Sequence, residues 1–197
     1  GSNDVQLTAN QDKNLYLDCP LWSPDGKTIA YSSKTATTST EGLPSFQVRL
    51  IETETKKSSA LTQPGKFLRL IGWAQGGGEL FFVNTKGSET VGLQSEVTLH
   101  RLDVKTGAIK QIAVLRDTYL FNIHLAPDGK NIAFAAHRED KDNLWLIPAN
   151  GGAEKKLTAN NDSRLYFSSL AWSPDGNSIF YGKQSRYSLL SMLTNFK

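Results

Sequence analysis

The sequence has few or none of the features that mark disulfide-linked, membrane-spanning and nucleic-acid-binding proteins. Its 197 residues include one cysteine, Cys19, which excludes an internal disulfide and a thiolate metal cluster. The cysteine content does not identify the cellular compartment, because a large secreted domain can do without disulfides. No run of about 18 apolar residues is present, so we expect no membrane segment. The net charge of +3, with basic and acidic residues interspersed, gives no reason to expect a nucleic-acid partner.

The sequence also lacks the short motifs of common catalytic sites. A nucleophile elbow, a His-Glu-x-x-His pair and a phosphate loop are all missing. His100, His124 and His137 do not occur at ligand spacing, and structural or surface roles explain them best; His124 falls on a predicted inner strand. The acidic run 138–143 lacks the glycine and the distal glutamate of a calcium loop. We therefore expect no catalytic residue, no metal, no cofactor and no enzymatic activity.

What the sequence does contain is a repeated hairpin. In Trp172-Ser173-Pro174-Asp175-Gly176 a strand runs into a turn, where proline presets φ, aspartate bonds its own backbone and glycine takes a positive φ. Related stretches are centred on Gly26, Gly77, Gly129 and Gly176, which are 51, 52 and 47 positions apart. A period of this length predicts an array, a solenoid or a propeller.

Each period holds four short strands, which is the content of one propeller blade. The predicted blades cover residues 15–62, 68–115, 119–158 and 164–197, and the last is one strand short. Residues 7–16 match residues 157–166 at seven of ten positions, so the segment 4–8 is predicted to be the missing outer strand. The sequence thus predicts one all-β domain over 4–197, a four-bladed antiparallel propeller closed by its N-terminal strand, and Gly1-Ser2 indicates that residues 1–3 are an expression scar or linker.

The repeats resemble those of TolB-type β-propellers. The resemblance rests on Trp-Ser-Pro-Asp-Gly-Lys-x-Ile-Ala-Tyr at 22–31, on Asn-Leu-Trp-Leu-Ile with the following Gly-Gly and Lys-Leu-Thr at 143–158, and on 172–181. It implies a periplasmic or extracytoplasmic protein with a protein partner at the channel mouth, as TolB propellers bind the peptidoglycan-associated lipoprotein. The C-terminal part is similar to propeller modules of bacterial signalling proteins, in which a winged-helix or kinase domain precedes the propeller. We therefore expect the chain to begin partway into a longer protein.

The number of blades in the complete ring is open at this point. TolB-type propellers have six or more blades, and four are visible here. The four blades could close a ring of their own, could be part of a larger ring, or could pair with a second copy as a homodimer with eight blades. In the third arrangement the strand at 4–8 would complete the final blade of the partner.

The candidate binding residues are those that recur once per blade near the start of the inner strand. Loops 10–14, 63–66, 116–118 and 160–164 surround the same predicted channel mouth. Aromatic residues recur in one register, and polar residues that vary between blades follow them; the candidates are Tyr16, Asp18, Phe67, Arg69, Tyr119, Asn122, Tyr166 and Ser168. Packing between blades, with solvated polar neighbours, is the competing explanation of this pattern.

These patterns favour an interaction or sensing module of a larger signalling protein. We expect it to bind a protein or peptide partner through the loops and the channel mouth, without catalysis of its own. Two alternatives remain: an accessory domain that gates or positions substrate for an enzyme domain elsewhere in the full chain, and a propeller that binds a small ligand or a metal. The fold by itself does not identify the partner.

Overall fold

The computed structural model describes residues 4–35, 45–65, 68–85, 93–185 and 188–194. Throughout these ranges the regular elements are β-strands, and no helix that could cross a membrane is found among them. The strands, in chain order, are β1 (Leu15–Trp22), β2 (Thr28–Thr35), β3 (Ser45–Glu52), β4 (Ser58–Ala60), β5 (Leu68–Trp73), β6 (Glu79–Thr85), β7 (Leu93–Asp103), β8 (Ile109–Leu125), β9 (Asn131–Arg138), β10 (Lys141–Pro148), β11 (Lys155–Lys156), β12 (Tyr166–Trp172), β13 (Ser178–Gln184) and β14 (Ser188–Thr194).

The strands form three antiparallel sheets. One contains β1 to β4 in chain order, one contains β5 to β11, and one contains β12 to β14. The seven-stranded sheet arises because β8 pairs with β7 through its first part and with β9 through its second part. The sequence predicts two separate strands here, an outer strand over 109–115 and an inner strand over 121–126; the structure joins them.

We refer to four repeat units by their strands. Unit 1 is β1 to β4, unit 2 is β5 to β7 with the first part of β8, unit 3 is the second part of β8 to β11, and unit 4 is β12 to β14. Each unit begins with a hairpin whose turn is the predicted one. In the first, Gly26 donates its N–H to the Ser23 carbonyl at 3.0 Å with φ of 69°, and Ser23 Oγ donates to Asp25 at 2.7 Å.

The core lies between successive units. Apolar side chains of one unit pack against those of the next, so three clusters are each shared by two successive units. Ala30 and Val48 of unit 1 pack with Leu80 of unit 2, and Phe134 of unit 3 packs with Phe81 of unit 2. A buried side chain of this size contributes about 1.5–3 kcal/mol, so most of the stability depends on the stacking of the units. This is how the blades of a propeller are held together.

The N-terminal segment departs from the sequence-based prediction. Residues 4–8 form no strand, and β14 is the last strand of its sheet in the described part of the chain. Leu7 packs against Ile29, Tyr31 and Ile51 of unit 1 instead. Within one chain the predicted pairing of 4–8 with unit 4 is therefore not formed. The number of blades in the complete ring stays a prediction.

Candidate functional site

The predicted aromatic positions mark one end of the inner strands, which we call the mouth. Tyr16, Tyr119 and Tyr166 stand at or near the start of the inner strand in units 1, 3 and 4, whereas Phe67 lies outside the described residues. Tyr16 and Tyr166 are 57% and 53% exposed. Tyr119 is half-buried and its hydroxyl donates to Asp142 at 3.0 Å. Two of the three described aromatic residues are thus accessible to a partner.

The predicted polar positions do not form one set. Asp18, Arg69 and Ser168 share a register, four residues before the tryptophan that ends the inner strand, but in unit 3 this position is Phe121. Asn122 is one residue further along, and its side-chain amide donates to the Phe167 carbonyl at 3.3 Å, which connects units 3 and 4. Asn122 therefore does not share the register of the other three residues, and its role in binding stays a prediction.

Arg69 crosses the interface between units 2 and 3. Its Nη1 donates to the carbonyls of Ile123 at 3.3 Å and Leu120 at 3.5 Å, and its guanidinium lies 5.4 Å from the centre of the Phe121 ring. Burial lowers the pKa of Arg69, and the neighbouring Cys19 and Asp18 oppose this shift. An arginine nevertheless keeps its charge in proteins. Arg69 therefore holds a positive charge at the mouth while it connects two units.

A cavity of about 340 Å³ opens beside Arg69. We call it the mouth cavity; it is lined by Tyr16, Leu17, Asp18, Cys19, Ser32, Lys34, Phe46, Leu68, Arg69 and Phe121. The cavity thus lies where the inner strands of units 1, 2 and 3 come together, and three of the predicted site residues contribute to it. Ser168 lies elsewhere: its hydroxyl is buried without a hydrogen-bond partner in the described structure.

Cys19 lies in the wall of the mouth cavity at a break in the pairing of β1 with β2. Its φ of 51° is in the left-handed region, and its N–H donates to the Asp18 carboxylate at 2.7 Å. Burial, followed by the charge of Asp18, raises the pKa of the Cys19 thiol. Cys19 is therefore a neutral thiol at neutral pH. The other charge-bearing residue types among the described residues of the wall are Lys34, Arg69 and Asp18.

The composition of this wall decides what it can bind. Among the described lining residues there are two cations and one carboxylate, and Tyr16 and Phe121 supply exposed aromatic surface. The net positive charge favours an anionic group, and the aromatic rings favour an apolar or planar group beside it. The described part of the wall thus combines hydrogen-bond donors with aromatic surface.

A second polar cluster lies under the mouth in units 3 and 4. The fully buried Asp142 accepts hydrogen bonds from Tyr119 Oη at 3.0 Å, His137 Nδ1 at 2.6 Å and the Phe167 N–H at 2.8 Å. Burial and the charge of Asp142 raise the pKa of Tyr119 well above its usual range. Sequence reasoning gave His137 a structural or surface role, and it missed the buried Asp142, which lies in the polar run 138–143.

His124 is held as a neutral side chain. Burial, with a smaller contribution from Arg69, lowers the pKa of His124 to about 4, and its Nε2 lies 3.2 Å from the Phe121 carbonyl, to which the neutral ring can donate. This is a packing role rather than that of a ligand. Within the described ranges no group of three or more histidine, cysteine or acidic side chains is placed to hold a metal ion.

Comparison of the sequence with protein-family models finds no match, and no curated protein matches it. Comparison of the structure is informative. TolB from Acinetobacter baumannii matches with a TM-score of 0.64 and 19% identity, over 93% of this chain and 41% of that one. Dipeptidyl peptidase 4 from Porphyromonas gingivalis matches with a TM-score of 0.68 and 11% identity, over 96% of this chain and 33% of the peptidase.

A third match is the β-propeller domain of the Trilobed protease from Pyrococcus furiosus, described as having an open velcro topology. The TM-score is 0.62 and the identity 11%, over 94% of this chain and 56% of that domain. At these identities the likeness shows the fold alone. The chain is an all-β, TolB-like propeller structure, and it spans less than two thirds of each of these three chains.

One expectation from the sequence is corrected by these matches. We expected no enzymatic activity, but the structures that share this fold include a dipeptidyl peptidase and a protease. Because the chain spans 33% of the peptidase, missing catalytic motifs in these 197 residues do not separate enzymes from non-enzymes.

Proposed function

We propose that this propeller is a recognition domain of a larger protein, and that it binds an acidic segment of a protein or peptide at the mouth cavity. The observation that carries the proposal is the mouth cavity itself, with Lys34, Arg69 and two exposed aromatic rings around about 340 Å³. The TolB-like fold and the resemblance of the repeats support a protein partner. An extracytoplasmic location belongs to the same proposal.

The size and shape of the mouth cavity favour a side chain of a peptide over a large cofactor. A volume of about 340 Å³ is at the lower end of the range for drug-sized ligands. The cavity is open to the mouth, where Tyr16 is available to contact residues on either side of the inserted group. Arg69 is held by the two carbonyls of unit 3, so its charge is positioned before the partner arrives.

A second candidate function follows from the match to dipeptidyl peptidase 4. In it, the same mouth would position a peptide substrate for a catalytic domain in the rest of the chain. The match over 96% of these residues, at a TM-score of 0.68, favours this candidate. The two candidates share the ligand class and differ in its fate. In the full-length protein, substitutions in the mouth cavity would change the rate of peptide cleavage only under the second.

Binding can be tested with an array of ten-residue peptides grouped into acidic, neutral and basic sets. We expect selective binding of the acidic set, with a dissociation constant that rises with salt because the attraction is screened. Tyr16→Ala and Lys34→Met should each weaken binding about tenfold, which corresponds to about 1.4 kcal/mol.

Two variants serve as controls. Tyr166→Ala removes an aromatic residue at the same register and of similar exposure that does not line the mouth cavity, and Lys27→Met removes an exposed lysine in a turn. Both should bind within twofold of the unmodified protein. Equal binding by the acidic and basic sets, or equal loss in Tyr16→Ala and Tyr166→Ala, would contradict the proposal.

A further inference from the structure

The interfaces between units use one recurring contact at the end of the inner strand. The indole Nε1 of Trp73 donates to the Leu21 carbonyl of unit 1 at 3.0 Å, and that of Trp172 donates to the His124 carbonyl of unit 3 at 3.1 Å. Leu125 occupies the equivalent position in unit 3 and packs directly over Gly72. Each unit therefore places one large side chain on the inner strand of the unit before it.

The turns repeat a second contact. A Cβ at Gly77 would lie 3.7 Å from Pro24 of unit 1, and one at Gly176 would lie 3.7 Å from Pro127 of unit 3. In unit 3 the equivalent Gly129 approaches the Gln75 backbone of unit 2 at 3.3 Å. We call the face of a unit that carries its tryptophan (leucine in unit 3) and its turn glycine the leading side. The face of the preceding unit that these residues contact is the trailing side of that unit.

None of the described residues covers the leading side of unit 1. Trp22, the counterpart of Trp73 and Trp172, is 60% exposed. No described atom lies within 4 Å of the position that a Cβ would take at Gly26. Both of the recurring contacts are therefore unmade at this end of the chain.

Unit 4 has a trailing side that is equally open. The strand registers place Leu190 at the position of Val48 and Met192 at the position of Leu50. Val48 is fully buried, whereas Leu190 is 81% exposed and Met192 is 59% exposed. Exposed apolar side chains at a repeated core position indicate a surface that another unit covers.

The contacts of the outer strand in units 1 and 3 show what would complete unit 4. In units 1 and 3, Leu61 and Leu157 donate their N–H groups to the carbonyls of Val48 and Leu144, each at 2.8 Å. The next residue, a threonine in both units, accepts the N–H of the same third-strand residue through its hydroxyl: Thr62 at 3.0 Å and Thr158 at 2.9 Å.

Leu7 and Thr8 repeat this Leu-Thr pair. Leu7 packs on unit 1 as Leu61 packs on unit 2 and Leu157 on unit 4. The segment 4–8 is thus in the position of an outer strand that belongs to a preceding unit, and the third strand of that unit is missing.

We propose that two copies of this chain associate head to tail into one closed ring. Trp22 and residues 4–8 of one copy meet Ala171, Leu190 and Met192 of the other, and the same contact forms again on the opposite side. In each contact Leu7 donates to the Leu190 carbonyl, the Leu190 N–H is accepted by Thr8, and the Trp22 indole donates to the Ala171 carbonyl. A heterologous contact of this kind closes when its rotation permits, and eight units are within the range of known propellers.

The single chain supports this choice of occupant. Both halves of the contact are present in it, yet Trp22 and Leu190 are exposed, so one copy does not satisfy its own ends. The ends carry the repeated contact groups of this sequence, which makes a second copy chemically complementary to both. The association also covers the edge of β14, which has no partner strand among the described residues, and open edges promote aggregation.

The test is the molar mass of the full 197-residue chain at 50 µM by light scattering during size-exclusion chromatography. The proposal expects twice the 21.7 kDa of one chain. Trp22→Asp and Leu190→Asp should each give a folded monomer, since both side chains are largely exposed in the single chain. The milder Trp22→Gln and Met192→Lys cover the case in which an aspartate variant fails to fold. Ile109→Asp, at an exposed apolar position within unit 2, should leave the dimer intact.

Mixing the two variants distinguishes head-to-tail association from a symmetric contact. Trp22→Asp retains an intact trailing side and Leu190→Asp retains an intact leading side, so an equimolar mixture should form a dimer although each variant alone is monomeric. A monomer of the unmodified chain, an open series of larger species, or a dimer that survives both substitutions would overturn the proposal. A mixture that remains monomeric would overturn the head-to-tail geometry.

Discussion

The carboxylate of Asp142 accepts the backbone N–H of Phe167 at 2.8 Å, across the interface between units 3 and 4. The same carboxylate accepts two further hydrogen bonds, from Tyr119 and His137. It connects the inner strand, the second strand and the third strand of unit 3 to the inner strand of unit 4. A fully buried acceptor with three donors is expected to be sensitive to substitution.

Asp142→Asn is predicted to lower the free energy of unfolding by about 2–4 kcal/mol, because the amide NH₂ would face donors that need an acceptor. Urea denaturation measures the change. Asp140→Asn is the matched control: its side chain is 87% exposed, and its substitution should change the stability by less than about 0.5 kcal/mol. Equal effects of the two substitutions would show that the buried cluster is not a structural anchor.

The stability of the protein is predicted to fall in mildly acidic solution. The pKa of His124 is about 4 in the folded protein and about 6.5 when unfolded, so the unfolded chain binds its proton at higher pH. The contribution of His124 to the free energy of unfolding is therefore fully present above about pH 6.5. It is lost as the pH falls toward 4, which lowers the stability by up to about 3 kcal/mol.

His124→Gln is predicted to reduce this pH dependence, and urea midpoints between pH 4 and 8 measure it. His100→Gln is a separate comparison, because burial also lowers the pKa of His100 and its contribution should remain in His124→Gln. A pH dependence that His124→Gln leaves unchanged would mean that other groups cause it.

Gly72 is predicted to tolerate no larger residue. A Cβ at this position would lie 2.8 Å from Leu125 Cβ, which cannot move without its backbone. Gly72→Ala should therefore lower the stability by about 1–3 kcal/mol through overpacking between units 2 and 3. Gly78→Ala is the control, since no described atom is within 4 Å of its added Cβ. Thermal denaturation of the two variants should show a lower midpoint for Gly72→Ala alone.

Arg69→Lys is predicted to weaken the connection between units 2 and 3. A lysine keeps the charge but lacks the planar guanidinium that donates to the Leu120 and Ile123 carbonyls. We therefore expect the free energy of unfolding to fall by about 1 kcal/mol. Arg164→Lys, at a side chain that is 85% exposed, should have no measurable effect on urea denaturation. If Arg69→Lys were as stable as the unmodified protein, Arg69 would act in binding alone, as its variable position in the repeat suggested.

The local chemistry of the sequence predicted most of the strands. The hairpin turns form where proline, aspartate and glycine recur, and β1 has the predicted bounds Leu15–Trp22. The period of the turns also predicted the all-β propeller fold, which the structural matches support. These features were predictable because a turn depends on a few adjacent residues and because a repeat displays its own pattern.

The candidate site was predictable in part. The inner strands of units 1, 2 and 3 meet at one cavity, which Tyr16, Asp18 and Arg69 line, and the role of these residues in binding stays a prediction. Lys34 was missed because it reaches the mouth cavity from the second strand, β2. Cys19 and Phe121 were missed although both lie on inner strands, because the search was for polar residues that vary between the blades. Asn122 lies one residue beyond the shared register, in which unit 3 has the aromatic Phe121 and not a polar residue.

By itself the sequence determined the repeat, the turns and the strands, because each depends on residues that are neighbours along the chain. The tertiary structure alone decided that β8 serves two units, that Asp142 joins units 3 and 4, and that residues 4–8 form no strand in a single chain. These features depend on how units some 50 residues apart stack on one another, since a buried hydrogen bond or an edge strand exists only when its partner is packed against it.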